Sequence, residues 1–382
     1  MVRSFAENQV EPQAFEYNKE EKFNLGLFRQ LGELGLLGIT ADPEYGGSGM
    51  DATAAAIVHE ELSAVDPAFC LSYLAHSMLF VNNLDKNGTP AQRARFLPAA
   101  CAGAAVGGMG MSEPGAGTDA LGMTTTAELS SCGTYYTLNG TKMWITNGTL
   151  DGKELGDIYL VYARTGKNPK DLSLFVVEKG APGFHLGQKI GDKLGMRASM
   201  TAELVFEDAR WGGGGGGGGG GGNLSLTDLR NMIIEQKRLI DALCSMASRS
   251  KQMWLLNLLQ AERKAFGKPI NSFGQIQKAI AETYAEYMAG RSHYLYQVCH
   301  GLDLASHGNG LDADGVKLFC GPVGKNAADR AIQVVLGGYG YVGEYAVERL
   351  WRDAKLLEIG GGTNEAHHKN MVRDLKQMEK LH

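Results

Sequence analysis

No stretch of this chain is apolar for the roughly 18 to 20 residues that a membrane-spanning helix needs. Positive charge is not in excess either. The net charge of −5 gives no electrostatic reason to expect nucleic acid or an anionic membrane as partner. The opening "MVRSFAENQVEPQAFEY" has no apolar signal core and carries acids that a transit peptide would avoid. A processed chain would begin in the same way, so the compartment stays open. Cysteine is sparse: Cys70, Cys101, Cys132, Cys244, Cys299 and Cys320 are scattered, with no CxxC pair and no metal-like spacing. They read as reduced packing residues of an intracellular protein, and no pattern marks one of them as a nucleophile.

What is present is ordinary in bulk and uneven along the chain. With 382 residues, 44% hydrophobic and 21% charged, the composition is that of a globular protein of more than one domain. Residues 1–104 read as helices. "NLGLFRQLGELGLLGI" sets apolar residues three and four apart, "DATAAAIVHEELSAV" repeats that period after an Asp cap, and "GTPAQRARFLPAACAG" opens on Thr-Pro. Over 105–222 the period changes to two. "YYTLNGTKMWIT" carries an Asn-Gly turn between strand-like halves, and "DIYLVYAR", "LSLFVVEK" and "AELVFEDAR" follow. From 223 to 382 long helical runs return, enough for a bundle. The eleven glycines Gly212 to Gly222 read as a stand-in for unidentified residues, and no chemistry is drawn from them.

Two motifs are decoys. "GYGYVG", Gly338 to Gly343, matches GxGxxG, but that fingerprint needs a preceding strand, and a helix is expected there. His367 and His368 sit about 100° apart on a helix, so they do not converge on a metal, and a solvated face is expected. Two others are informative. "MGMSEPGAGTDA", Met109 to Ala120, is a glycine-rich loop whose exposed N–H groups and hydroxyls can cradle a flat polar ring or an anion. "KMWITNG" places Trp144 and Thr146 two apart on a strand, where they can flank a planar cofactor.

These stretches, with "GDKLGMRASMTAELVFEDAR", "AERKAFGKPINSFGQIQ", "LGGYGYVGEYAVERLWRDAK" and "EIGGGTNE", resemble the acyl-CoA dehydrogenase family over nearly the whole chain. "LGELGLLGI", "LSYLAHS" and "EIGGGTNE" look most like isovaleryl-CoA dehydrogenase and its short, branched-chain relatives. The resemblance implies an α+β fold with an N-terminal α-helical domain, a central β-barrel and a C-terminal four-helix bundle. It implies FAD as cofactor, a homotetramer, and electron-transferring flavoprotein as electron acceptor. The compartment would be the mitochondrial matrix in a eukaryote and the cytoplasm otherwise.

Carried over by motif, the flavin would meet Met109, Met111, Ser112, Gly117, Thr118, Trp144, Ile145 and Thr146. Thr363 and Glu365 would hold its diphosphate and ribose region. Arg263, Phe266, Gln333, Gly337 and Gly338 would reach the adenine side from a neighbouring subunit. This sequence has one more residue between Gln333 and the glycine pair than the family pattern has. Thr118, Arg238, Gly360 and Gly361 would bind the substrate, with the Gly361 N–H polarising the thioester carbonyl.

Many relatives place the catalytic glutamate where Gly361 stands, and this chain has none there. Counting forward from "FEDAR" puts Glu235 on the alternative base position. Counting back from "AERKAFG" puts Lys237 there, with Arg238 after it, and a protonated lysine cannot accept the α-proton. The function implied is α,β-dehydrogenation of a short, branched acyl-CoA. A long-chain dehydrogenase, an acyl-CoA oxidase and an inactive scaffold subunit are the alternatives.

Overall fold

Apolar side chains at helical spacing, capped by short polar residues, account for the first part of the chain. The computed structural model describes residues 1–168, 171–211, 263–299 and 308–379. Val2–Phe5 continues through a wider turn, Ala6–Val10, into Glu11–Glu20 (together α1). Leu25–Glu33 (α2), Ala52–Val65 (α3), Pro67–His76 (α4, prolonged through Ser77–Asn82 and Asn83–Asn87) and Pro90–Cys101 (α5) follow. Asp51 caps α3 by accepting from the Ala54 N–H at 2.9 Å. Thr89 and Gln92 form a reciprocal capping box at the start of α5. Helix α2 is shorter than the apolar period suggested. Gly35 takes a left-handed φ of +71°, and the Leu36 N–H turns back to the Leu31 carbonyl.

The middle of the chain is a curled seven-stranded sheet. Its strands are Gly107–Gly110 (β1), Thr126–Leu129 (β2), Tyr136–Thr146 (β3), Ile158–Arg164 (β4), Leu172–Glu178 (β5), Phe184–Ile190 (β6) and Thr201–Trp211 (β7). The hydrogen-bonded path runs β1-β4-β2-β3-β7-β6, with β5 on the free side of β4. Strand β4 is buried on both faces. Tyr159, Val161 and Ala163 pack inside the curl with Phe175, Phe184, Leu204 and Phe206. Ile158, Leu160 and Tyr162 face the helices, against Phe80, Leu84 and Leu97. That double burial is why "IYLVYA" shows no polar alternation.

Asn139-Gly140 is not a hairpin turn, against expectation. β3 runs straight through it, with a register shift against β7 between Leu138 and Gly140. Thr125 lies so close that a Cβ on Gly140 would sit 2.6 Å from its Oγ1. The Asn139 amide is engaged with Asp208 at 3.1 and 2.8 Å. The glycine therefore serves a bulge under close approach.

Helices then return. Lys264–Ala265 (β8) and Lys268–Pro269 (β9) make a small hairpin before Gly274–Cys299 (α6), Gly308–Arg330 (α7), Ala346–Ala354 (α8) and Asn364–Glu379 (α9). α7 packs against α6, α8 and α9. Of the cysteines whose side chains are described, Cys70, Cys101 and Cys320 are buried packing residues as expected, whereas Cys132 is exposed.

Candidate active site

The glycine-rich loop leaves β1 under tight control. A Cβ on Gly107 would fall 2.3 Å from the Phe80 ring, so only glycine lets β1 lie on α4. Beyond it, Met109, Met111 and Ser112 are half-buried, and Gly117 and Thr118 are exposed. Two anchors hold the loop down. The Met143 N–H donates to the Ser112 carbonyl at 2.8 Å. Glu113, buried, takes hydrogen bonds from Lys142 Nζ at 2.8 Å, from the Thr124 N–H at 2.6 Å and from the Thr125 N–H at 2.9 Å. Burial alone would raise the Glu113 carboxyl, but these donors prevail and hold it at about 2. Past the anchors the loop is open, since a Cβ on Gly115 or Gly117 would meet nothing within 4 Å.

Strand β3 presents the aromatic. A register shift between Lys142 and Ile145 turns Trp144 outward with φ +66° and 62% of its surface exposed. A bulky residue held there costs on the order of 1 to 3 kcal/mol, and such strain gathers at ligand sites. Ile145 points the other way into the sheet core, so only its backbone remains for a ligand, and that backbone pairs with Ala202. Thr146, half-buried, pairs with Thr201.

The next residue, Asn147, locks this end in place. Its side-chain amide donates to the Ser72 and Gly107 carbonyls, both at 3.0 Å, and its N–H donates to Met200 at 2.9 Å. His76 completes the joint, accepting from the Gly107 N–H at 2.8 Å and donating to the Ala100 carbonyl at 3.1 Å.

The loop 192–200 links this strand end to the glycine turn. Met196 and Ala198 cluster with Leu356, and the Met196 N–H donates to Asp353 at 2.5 Å. Gly361 and Gly362 have φ of +70° and +103°, and Gly361 is exposed while Gly360 is half-buried. Thr363 starts α9, its hydroxyl accepting from the Ala366 N–H at 3.3 Å. Glu365 is fully exposed, its carboxylate held below the usual range by its own backbone N–H and the Thr363 hydroxyl.

His367 departs from expectation. It is wholly buried, with Nδ1 bonded to Asp314 Oδ1 at 2.5 Å, whereas His368 is exposed as expected.

A second group forms on the bundle. Arg263 Nη1 donates to the Val335 and Leu336 carbonyls at 2.6 and 2.9 Å, and its guanidinium lies 5.7 Å from the Tyr339 ring centre. Gln333 and Gly338 are exposed beside it, and Gly337 is half-buried with a φ of +57°. Phe266, in the tight β8–β9 turn, has φ +53° and is 94% exposed. The segment Gly338 to Gly343 follows a helical run, so the dinucleotide fingerprint lacks its strand, as expected.

Glu235, Lys237 and Arg238 lie outside the described residues, as do Gly212 to Gly222 and Cys244. Among the described residues no group of three His, Cys, Asp or Glu could hold a metal, and no helix is long and apolar enough to cross a membrane. The sequence reading does not mark Glu113, Lys142 or Asn147, and it expects His367 on a solvated face where the structure buries it. The first three lie inside the motifs it singled out. A lysine two residues before the Trp, facing a loop with one glutamate, was the available signal for the buried pair.

An exposed, strained indole, an open loop of bare backbone anchored by a buried ion pair, and an exposed left-handed glycine turn suit a flat, multi-ring cofactor with a ligand beside it.

Comparison with known proteins agrees in extent and order. Models of the acyl-CoA dehydrogenase N-terminal, middle and C-terminal domains match residues 1–104, 108–209 and 234–376. The mitochondrial isovaleryl-CoA dehydrogenase of Pongo abelii is 37% identical over 95% of this chain and 84% of its own length. That of Arabidopsis thaliana is 38% identical over 99% and 90%. The solved butyryl-CoA dehydrogenase from Megasphaera elsdenii superposes with a TM-score of 0.89 at 30% identity, covering 98% of this chain and 96% of that one.

Proposed function

The chain belongs to the acyl-CoA dehydrogenase family, and from that premise we propose that it removes hydrogen across Cα–Cβ of a short, branched acyl-CoA such as isovaleryl-CoA. The observation that carries this reading is the exposed turn at Gly361, whose left-handed backbone offers an N–H free of any side chain. That donor would bond the thioester carbonyl, and the bond strengthens as negative charge grows on the oxygen when the α-proton leaves. Names of the relatives above support the branched acyl group.

FAD, when bound, would supply the hydride acceptor. The open loop Met109, Met111, Ser112, Gly117 and Thr118, the Trp144 face, and the backbone of Ile145 and Thr146 would hold its ring system. Thr363 and Glu365 would meet its diphosphate and ribose region. Arg263, Phe266, Gln333, Gly337 and Gly338 would complete the adenine side of a neighbouring subunit's site in a homotetramer, with electron-transferring flavoprotein as the onward partner. Thr118, Arg238 and Gly360 would seat the substrate. Glu235 would take the α-proton on its carboxylate, which must be ionised to do so.

Anaerobic titration of the purified protein with isovaleryl-CoA tests this. Loss of the flavin absorbance is the expected result, faster than with long-chain thioesters. Glu235→Gln should keep the flavin and lose bleaching rate by about 10² to 10⁴. A protein that takes up no FAD, or whose flavin isovaleryl-CoA leaves oxidised, overturns the reading.

A further inference from the structure

The glycine turn has a problem that its own sequence cannot solve. Three successive glycines give backbone with no side chains to pack, and such a segment has more freedom than any other. An N–H that must meet a developing charge has to be placed within a few tenths of an ångström, because small misplacements are costly. Something outside the turn must hold it.

Directly beneath it lies a polar network that the proposed function leaves unused. Asp314 and Lys317 project from α7 and His367 from α9, and they are 2%, 0% and 0% exposed. Lys317 Nζ donates to the Leu357 carbonyl, at the head of the turn. The His367 N–H donates to the Thr363 carbonyl at 3.2 Å, at its tail. Between these grips lies the imidazole. Asp314 fixes it through Nδ1, while Nε2 has no hydrogen-bond partner among the described residues. A Cβ on Gly362 would lie 2.9 Å from that Nε2, so the ring is the floor on which the turn rests. Burying three ionisable side chains is unfavourable against an apolar packing of the same volume, so stability alone gives them no reason to be there.

We propose that His367, oriented by Asp314, is a positioning residue that sets the aim of the Gly361 N–H at the thioester carbonyl. This rests on the function proposed above. The imidazole touches neither substrate nor reacting atoms; it acts through Gly362.

The test uses the FAD-loaded protein and the variants His367→Asn and Asp314→Asn. Asn at 367 retains a donor for Asp314 and removes the ring edge under Gly362. Asn at 314 keeps its volume and weakens the hold on the ring. Two readouts separate aim from support: the kcat and KM for isovaleryl-CoA, and the infrared stretch of bound crotonyl-CoA carrying ¹³C at its thioester carbonyl. In the parent, binding should lower that stretch.

His367→Asn should retain flavin and lose about half or more of the carbonyl shift. Its kcat should fall about 10- to 100-fold, with KM within about threefold. Asp314→Asn should lie between the two, and it carries the test if His367→Asn fails to fold. Parent-like carbonyl shift and kcat in either folded variant overturn the proposal. So does a loss confined to flavin content, with an unchanged shift per bound probe. If the parent itself leaves the carbonyl unshifted and is not reduced by isovaleryl-CoA, the proposed function has failed and the inference falls with it.

Discussion

His76 receives a hydrogen bond from the Gly107 N–H on one ring nitrogen and gives one to the Ala100 carbonyl from the other. A doubly protonated ring could not accept, so the fold admits only the neutral tautomer. Burial pushes its pKa down from 6.5 to about 4, and does the same to His59. Below pH 6.5 the unfolded chain takes up a proton that the folded chain refuses until about pH 4. This contribution is complete above pH 6.5 and is lost as pH falls, by about 1.4 kcal/mol per unit for each histidine. His76→Gln, whose amide can make both bonds, should flatten the stability profile between pH 4 and 6.5 by about that slope. Denaturant melts at half-unit pH steps measure it, and parallel profiles for the two proteins would contradict it.

Single residues also show where sequence logic stops. Adjacent positions on a helix diverge by about 100°, which is the ground for not expecting His367 and His368 to share a metal. The same divergence lets one of them face the core while the other faces water, and only the packing of α7 says which.

At the scale of elements, the sequence of β3 shows its strand period, but its Asn-Gly pair points to a hairpin where the structure has one continuous strand with a bulge. Asn-Gly favours a tight turn because both residues tolerate positive φ, but a bulge uses the same freedom. The choice was made by Thr125 and Asp208, far away in sequence, pressing on that point. The second bulge carries the strain at Trp144, and it invites a separation of roles. Trp144→Gly removes a left-handed bulky residue whose side chain is largely exposed, so the flavin-free protein should melt at the parent temperature or above it. The gain is on the order of 1 kcal/mol, offset by glycine's greater freedom when unfolded. The affinity for FAD should fall at least about fivefold, since one stacked aromatic face contributes about 1 kcal/mol or more. Equilibrium dialysis with FAD and calorimetry of the apoprotein give the two numbers. A variant that melts lower yet binds FAD as tightly would make Trp144 a structural residue.

For the whole molecule, the order helix, strand, helix was legible because the period of apolar residues changes from 3.6 to two and back. The ties between the parts were not. Arg349 on α8 lies 3.7 Å from Asp66 at the start of α4 and 4.0 Å from Asp353, whose carboxylate also takes the Met196 N–H from the loop between β6 and β7. Partners 284 residues apart, like Arg349 and the Val65 carbonyl it bonds at 3.1 Å, leave no local pattern.

One cation here serves two buried carboxylates. Burial, against the pull of Arg349, pushes Asp353 up to about 6. The folded state therefore holds a proton that the unfolded state has released above about pH 4, and this contribution declines as pH rises towards 6. Arg349→Met should destabilise by about 3 to 5 kcal/mol at pH 8, and by less at pH 5 where Asp353 is protonated. Asp353→Asn, which can still accept from Met196, should be no less stable than the parent at pH 8. Urea melts at the two pH values decide it, and an Arg349→Met loss that does not vary with pH would refute the account.

Strand β4 has a consequence for inheritance. Its odd-numbered side chains, Tyr159, Val161 and Ala163, fill the curl, while Ile158, Leu160 and Tyr162 fill the seam with α4 and α5. Consecutive letters of one short word thus answer to different readers. Grafting the sheet of a relative into this chain as a cassette would satisfy the first reader and garble the second, unless Phe80, Leu84 and Leu97 travelled with it. Recombination among such proteins should leave crossovers that keep β4 together with the helices it touches, even though three of the seven strands of the sheet lie between β4 and the end of the central segment.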